Sequence, residues 1–227
     1  MVQQDEAGEG RTIKGARASM TTVLGISPHT DDLELGAGGT IIRHLDAGHT
    51  VFHVVCTEAI PVVAGTETPF EECEKAAKWA GISLFSRKHL LGATRNLHQH
   101  RQELLDWFLA LKQTLNPDLV YIPSSFTTHQ DHVTVYEEGF RAFKDRSLHG
   151  YEDPWNNRSF SPTRFVELDR GLVGRKVLWL SHYKSQSTRE YMRMMSVLSL
   201  GKSRALAMGS RNWAEAFEVI REVDRIV

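Results

Sequence analysis

Two short clusters in this chain carry the residue types of hydrolytic metal chemistry. The first, Ser27-Pro28-His29-Thr30-Asp31-Asp32, follows the apolar run Val23-Leu24-Gly25-Ile26 and precedes Gly36-Ala37-Gly38-Gly39. The second, His129-Gln130-Asp131-His132, also follows an apolar run. His29 and Asp32, three residues apart on a turn entering a helix, can meet one cation. His132, opening a later helix, can supply a third ligand. Two histidines and a carboxylate leave an open coordination position for water, as in catalytic zinc sites; the same set suits iron(II). Asp31 is then a spare carboxylate able to take a proton from the activated water, although an aspartate before a helix also serves as an N-cap. A protonated His129 can stabilise an oxyanion and then protonate a leaving amine. Asp131 can hold the His129 tautomer by a hydrogen bond, or cap the helix that begins at His132.

The elements that must position these groups alternate. Strands are expected at Thr22–Ile26, Thr50–Cys56, Ser86–Leu91 and Asp118–Ile122, from their β-branched and aromatic content. Helices are expected at Leu33–Ala47, Pro69–Ala80, Gln99–Leu115 and His132–Lys144, with Gly48, Gly81 and Asn116-Pro117 as stops. This predicts an α/β, Rossmann-like, doubly wound and mostly parallel sheet with helices on both faces. In the strand order 3-2-1-4-5 the two clusters meet at the switch point, outside the carboxyl ends of strands 1 and 4, where such sheets bind ligands. Residues 145–161 read as an ordered, turn-rich loop and Arg164–Leu168 as a further strand. Two closing helices are expected, Thr188 to about Met208 and Asn212 to about Val227. The glycine cluster does not match the dinucleotide fingerprint, and two acids in the turn would repel a pyrophosphate, so close packing of helix on sheet is its expected use.

Composition bounds the partners. The 227 residues carry a formal net charge of -1, so nothing marks the chain for nucleic acid. No apolar run is long enough to span a membrane. Cys56 and Cys73 read as reduced, buried thiols. Residues 1–20 are polar and read as a mobile tail before a single domain over 21–227, and the cytoplasm is the default compartment. A homo-oligomer is compatible with all of this.

These residues resemble a known family, the LmbE-like or PIG-L metal-dependent N-deacetylases. The family's first motif, roughly His-Pro-Asp-Asp-Glu followed by Gly-Gly-Thr, stands here as His29-Thr30-Asp31-Asp32-Leu33 and Gly38-Gly39-Thr40. Its second, His-Pro-Asp-His, stands as His129-Gln130-Asp131-His132. Lys176 to Gln186 resembles a late Lys…His-x-x-Ser-Gln stretch, and Glu215-Ala216-Phe217 a terminal Glu-x-Phe. Thr30 and Leu33 depart from the pattern, at positions that are not ligands. The resemblance implies zinc on His29, Asp32 and His132, with Asp31 as general base and His129 as acid supported by Asp131. It also implies hydrolysis of an acetamide on an N-acetylglucosamine-type sugar or glycoconjugate. A zinc amidase acting on a non-sugar amide is the alternative enzyme, and a nucleotide-binding domain the alternative of another class. For the sugar, Tyr151, Glu152 and Trp155 in the irregular segment, Arg95-Asn96 after strand 3, and His182 are candidate contacts, because an aromatic can stack on a sugar ring and a carboxylate can bind hydroxyls.

Overall fold

The computed structural model describes residues 20–58 and 66–224; the expected tail, apart from Met20, and the end of the last expected helix lie outside them. The elements run β1 (Thr22–Ser27), α1 (Asp32–Asp46), β2 (Thr50–Val55), α2 (Pro69–Ala80), β3 (Ser83–Ser86), α3 (Lys88–Leu91) and α4 (Arg101–Leu115). They continue with β4 (Leu119–Pro123), α5 (Gln130–Ala142), β5 (Ser147–Tyr151), β6 (Arg164–Leu168), α6 (Arg170–Leu180), α7 (Met194–Ala207) and β7 (Trp213–Arg221). Among the described residues the strands form one sheet in the order β3-β2-β1-β4-β5-β7-β6. The five strands β3 to β5 pair in parallel, and β3-β2-β1-β4 is the order the alternation predicts. β7 then runs antiparallel to both β5 and β6.

Each face of the sheet buries its own core. Leu24, Ile26, Val120 and Ile122 point into a core shared with Leu104, Phe108 and Val135 of α4 and α5. Their neighbours Val23 and Tyr121 join Leu33, Ile41 and Trp179 of α1 and α6 on the other face. This period-2 division of the strands sandwiches the sheet between helices. The glycines of α1 serve contact, not phosphate: a Cβ on Gly36 would lie 2.5 Å from Tyr151, and one on Gly39 would lie 2.4 Å from Leu168.

Several expectations are corrected. Strand 3 lies earlier, at Ser83–Ser86, and Lys88–Leu91 is a helical turn. The supposed loop 145–161 contains β5, a short strand disguised by its own Gly150. Asn212 to Val227 is no helix, since β7 occupies Trp213–Arg221. Its alanines and glutamates favour helix locally, but insertion between β5 and β6 overrides propensity. α6 interrupts the segment before α7 and carries Asp169 as its cap, accepting from the Leu172 amide at 2.8 Å.

A buried ion pair ties this C-terminal part to α1. Glu215 of β7 accepts from the Gly39 and Thr40 amides at 2.8 and 2.7 Å, and from Lys176 Nζ at 2.6 Å. Lys176 also donates to the Leu35 carbonyl at 2.7 Å. The Lys176 and Glu-x-Phe motifs therefore act on the helix that starts at the metal-type turn.

Candidate metal centre

The turn between β1 and α1 carries His29, Asp31 and Asp32, and the start of α5 carries His132. His29 Nδ1 lies 3.2 Å from Asp32 Oδ2 and 3.2 Å from His132 Nε2, and His132 Nε2 lies 3.4 Å from Asp32 Oδ2. Three donors around a tetrahedral zinc at about 2.0–2.2 Å stand roughly 3.3 Å apart. The triangle therefore has the size a divalent ion requires. Its electrostatics agree: burial alone would push His29 down, yet Asp32 and Asp131 hold it up at about 10. Burial works against the Asp32 charge, but His132 and His29 hold that carboxyl well below the usual range. The site favours positive charge at its centre, as the surroundings of a bound cation must.

The next layer orients these groups. Asp131 Oδ2 accepts from His29 Nε2 at 3.1 Å and from the Arg95 amide at 2.6 Å, while its other oxygen accepts from the Leu97 amide at 3.3 Å. With its proton on Nε2, His29 presents the Nδ1 lone pair to the centre, the arrangement expected of a carboxylate-supported ligand. The expected Asp131–His129 side-chain pair is not formed. Instead His129 is itself the N-cap of α5, its Nδ1 accepting from the Asp131 amide at 3.2 Å. That bond fixes the proton on Nε2, and burial together with the His29 charge lowers the His129 pKa. His129 therefore has Nε2 as its donor atom. Its ring centroid lies 4.9 Å from that of His29.

Asp31 makes no capping bond at the start of α1. Burial and the neighbouring Asp32 charge raise it to about 7, the range in which a general base works best. Asp153, just past β5, is a group the sequence reading missed. Its Oδ2 lies 3.5 Å from His132 Nδ1, on the side away from the triangle. Asp32, His132 and Asp153 also offer ligand atoms close together. The only sequence signal for Asp153 was its place after a strand next to strand 4.

Behind the turn, Ser27 Oγ accepts from the Leu33 amide and pairs with His53 Nε2 at 2.8 Å, while Tyr183 Oη donates to the Thr30 carbonyl at 2.8 Å and meets Glu34 at 2.8 Å. Glu34, His53 and Cys73 lie close enough to suggest a second cation site. Burial pushes Glu34 up to about 8 and His53 down to about 3. Together these groups form a buried polar scaffold under the turn.

The candidate substrate residues divide. Trp155 is 70% exposed, its ring 5.9 Å from that of Tyr191, which senses the Asp31, Asp32 and Asp153 charges. Arg95 and Asn96 are exposed beside Asp131, and Arg95 has a left-handed φ of 68° that presents its amide to that carboxylate. Tyr151 is fully buried in β5 and donates to the Ile26 carbonyl at 3.0 Å, so it is a core residue. Glu152 is committed to a two-point pair with Arg204. His182 closes α6 through the Leu178 and Trp179 carbonyls and packs on Trp79, while the neighbouring Tyr183 is the residue that reaches the turn.

Comparison with known proteins agrees with this geometry. The family model described as "PIG-L: GlcNAc-PI de-N-acetylase" matches residues 24–143, which include both clusters. The uncharacterised deacetylase YaiS of Escherichia coli is 28% identical over 169 residues, 72% of this chain and 90% of that protein. The solved structure of the conserved protein TT1542 from Thermus thermophilus superposes with a TM-score of 0.74 at 21% identity, covering 91% of this chain and 98% of that one. The N,N'-diacetylchitobiose deacetylase from Pyrococcus horikoshii, solved with an inhibitor, gives 0.67 at 20% identity over 89% and 84% of the two chains.

Proposed function

The chain belongs to the PIG-L family of de-N-acetylases, and from that premise we propose that it is a zinc-dependent hydrolase removing the acetyl group from an N-acetylated amino sugar. The observation that carries the reading is the triangle of His29 Nδ1, Asp32 Oδ2 and His132 Nε2, with Asp31 beside it and unengaged as a cap. His29, Asp32 and His132 hold the ion. When bound, that ion polarises the amide carbonyl and makes a water acidic enough to attack at neutral pH.

The protein's own groups do the rest. Asp31, poised near neutrality by burial, takes the proton of the attacking water. His129 donates its Nε2 proton toward the oxygen on which charge develops, where a fixed donor lowers the barrier without reorganisation. Asp31, protonated by the first step, then returns that proton to the departing amine. Asp131 keeps His29 in the ligating tautomer, and Asp153 faces the far nitrogen of His132. The sugar assignment draws on the diacetylchitobiose deacetylase likeness and on the exposed Trp155 beside the centre.

The test is release of free amine from a panel containing N-acetylglucosamine, diacetylchitobiose, an N-acetylated sugar nucleotide and simple N-acetyl amino acids. Zinc-loaded protein should release amine from at least one sugar, lose that activity to a chelator and regain it with zinc. Cleavage of only the amino acids would replace the sugar reading with a non-sugar amidase. Activity indifferent to chelation would overturn the metal reading.

A further inference from the structure

The face that rims the centre has a composition the proposed chemistry does not need. Between Arg189 and Arg211 the chain carries Arg189, Arg193, Lys202, Arg204 and Arg211 against Glu190 alone, although its net charge overall is -1. Arg204 is consumed by Glu152. Arg189, Arg193 and Arg211 are exposed, and the surface pair of Arg193 with Glu190 is of the weak i,i+3 kind. The same stretch exposes large apolar side chains: Met194 at 54%, Met195 at 66% and Leu206 at 79%, with Met208 just beyond. Met195, Ser199, Lys202 and Leu206 stand four, three and four residues apart, so they share one outward stripe of α7. The opposite face of α7 packs inward through Val197 and Ala205. α7 contains no acidic residue. The Lys202 ammonium turns back to the Arg211 carbonyl and the Trp213 ring, so the stripe offers Met195 and Leu206 at its two ends, and such an apolar outer face is not built for water alone.

We propose that the outer face of α7 and the turn before it dock onto an anionic lipid bilayer, with the mouth of the metal centre held at the membrane surface. Charge complementarity selects the partner. A second copy would set the same basic strip against itself across a twofold axis, with one acid per copy to offset it. A nucleic acid or a soluble polyanion would satisfy the arginines but leave Met194, Met195 and Leu206 in water. A bilayer interface satisfies both, taking apolar side chains to the headgroup boundary and arginines to lipid phosphates. The mouth is contiguous with this face, because Tyr191 precedes the exposed methionines and packs on the exposed Trp155. Among the described residues no helix is long and apolar enough to cross a membrane, so the contact is peripheral. The inference goes beyond the deacetylase reading and does not depend on the substrate.

Co-sedimentation of the full chain with vesicles tests it directly. Phosphatidylglycerol-containing phosphatidylcholine vesicles should carry the protein down, pure phosphatidylcholine vesicles should carry far less, and added salt should release it. Arg189→Ser/Arg193→Ser should weaken partitioning roughly 30-fold, at the usual worth of two basic side chains near an anionic surface. Met194→Ser/Met195→Ser should weaken it while leaving melting temperature and zinc content unchanged. Absence of sedimentation with the anionic vesicles overturns the proposal. So does partitioning unchanged in both variants, or self-association lost in the methionine variant without any vesicle binding, which would make the face a contact between copies.

Discussion

Replacing Asp131 with asparagine should cost the protein its metal before it costs anything else. The wild-type carboxylate accepts three bonds, from His29 Nε2 at 3.1 Å, the Arg95 amide at 2.6 Å and the Leu97 amide at 3.3 Å. An asparagine side chain has one accepting oxygen, so its amide nitrogen must confront at least one of those N–H donors. The lost bond was made to a charged acceptor, worth about 1.5–3 kcal/mol. If His29 is the group abandoned, it is free to flip its proton to Nδ1 and withdraw the ligating lone pair. Converted at about 1.4 kcal/mol per decade, zinc affinity should fall about 10- to 150-fold, in line with the effect of removing a carboxylate behind a histidine ligand. Competition against a chelator of known affinity measures this directly, with circular dichroism as a check on folding. The refuting result is unchanged zinc affinity with turnover strongly reduced. That pattern would mean Asp131 serves His129, as its sequence position suggests, and not His29.

Other outcomes follow from the same geometry. Asp31→Asn should retain zinc and lose about 100-fold or more in kcat, the usual worth of a general base, and a variant turning over near the parental rate would remove Asp31 from the reaction. Trp155→Ala should raise KM for a sugar substrate with little change in melting temperature, given its exposure; a large loss of stability would instead assign the ring to packing. His53 bears on acid stability. Burial drops its pKa from 6.5 to about 3, so the unfolded chain binds a proton there that the folded one refuses, and stability falls as pH drops below about 6.5 toward 3. His53→Gln should flatten urea-unfolding stability over that window by about one proton's worth, roughly 1.4 kcal/mol per pH unit; identical slopes in parent and variant would show that His53 is not held neutral.

The sequence makes β1, β2 and β4 legible because each is announced by its own composition. β1, β2, β4 and their helices carry regular apolar periods, and the strand order then brings His29, Asp31, Asp32 and His132 to one place. β5 and β7 are opaque for a physical reason. β5 is five residues long with a glycine inside it, and β7 is written in helix-favouring residues whose strand state is imposed by neighbours on both sides. The site shows the same division. Ligand types and spacing are local and readable. The partner of Asp131 is not, because the backbone amides of Arg95 and Leu97 leave no mark in side-chain identity. Tyr151 and Glu152 read as rim residues only while their segment reads as loop; as β5 and the residue after it they bond the Ile26 carbonyl and Arg204.

The Lys176–Glu215 pair has a consequence for the order in which the protein is made. His29, Asp32 and His132 all emerge from the ribosome well before Glu215. β6 also precedes the strand that will join it to the sheet, since β7 lies between β5 and β6. Until β7 threads into that gap, Lys176 is a cation facing the Leu35 carbonyl with no counter-charge, and the Gly39 and Thr40 amides lack the carboxylate that will receive them. The helix that begins at the ligand turn is therefore finished by a late-arriving segment. A nascent chain halted before β7 carries all three proposed ligands yet lacks the lock on α1, which forms only when Glu215 arrives.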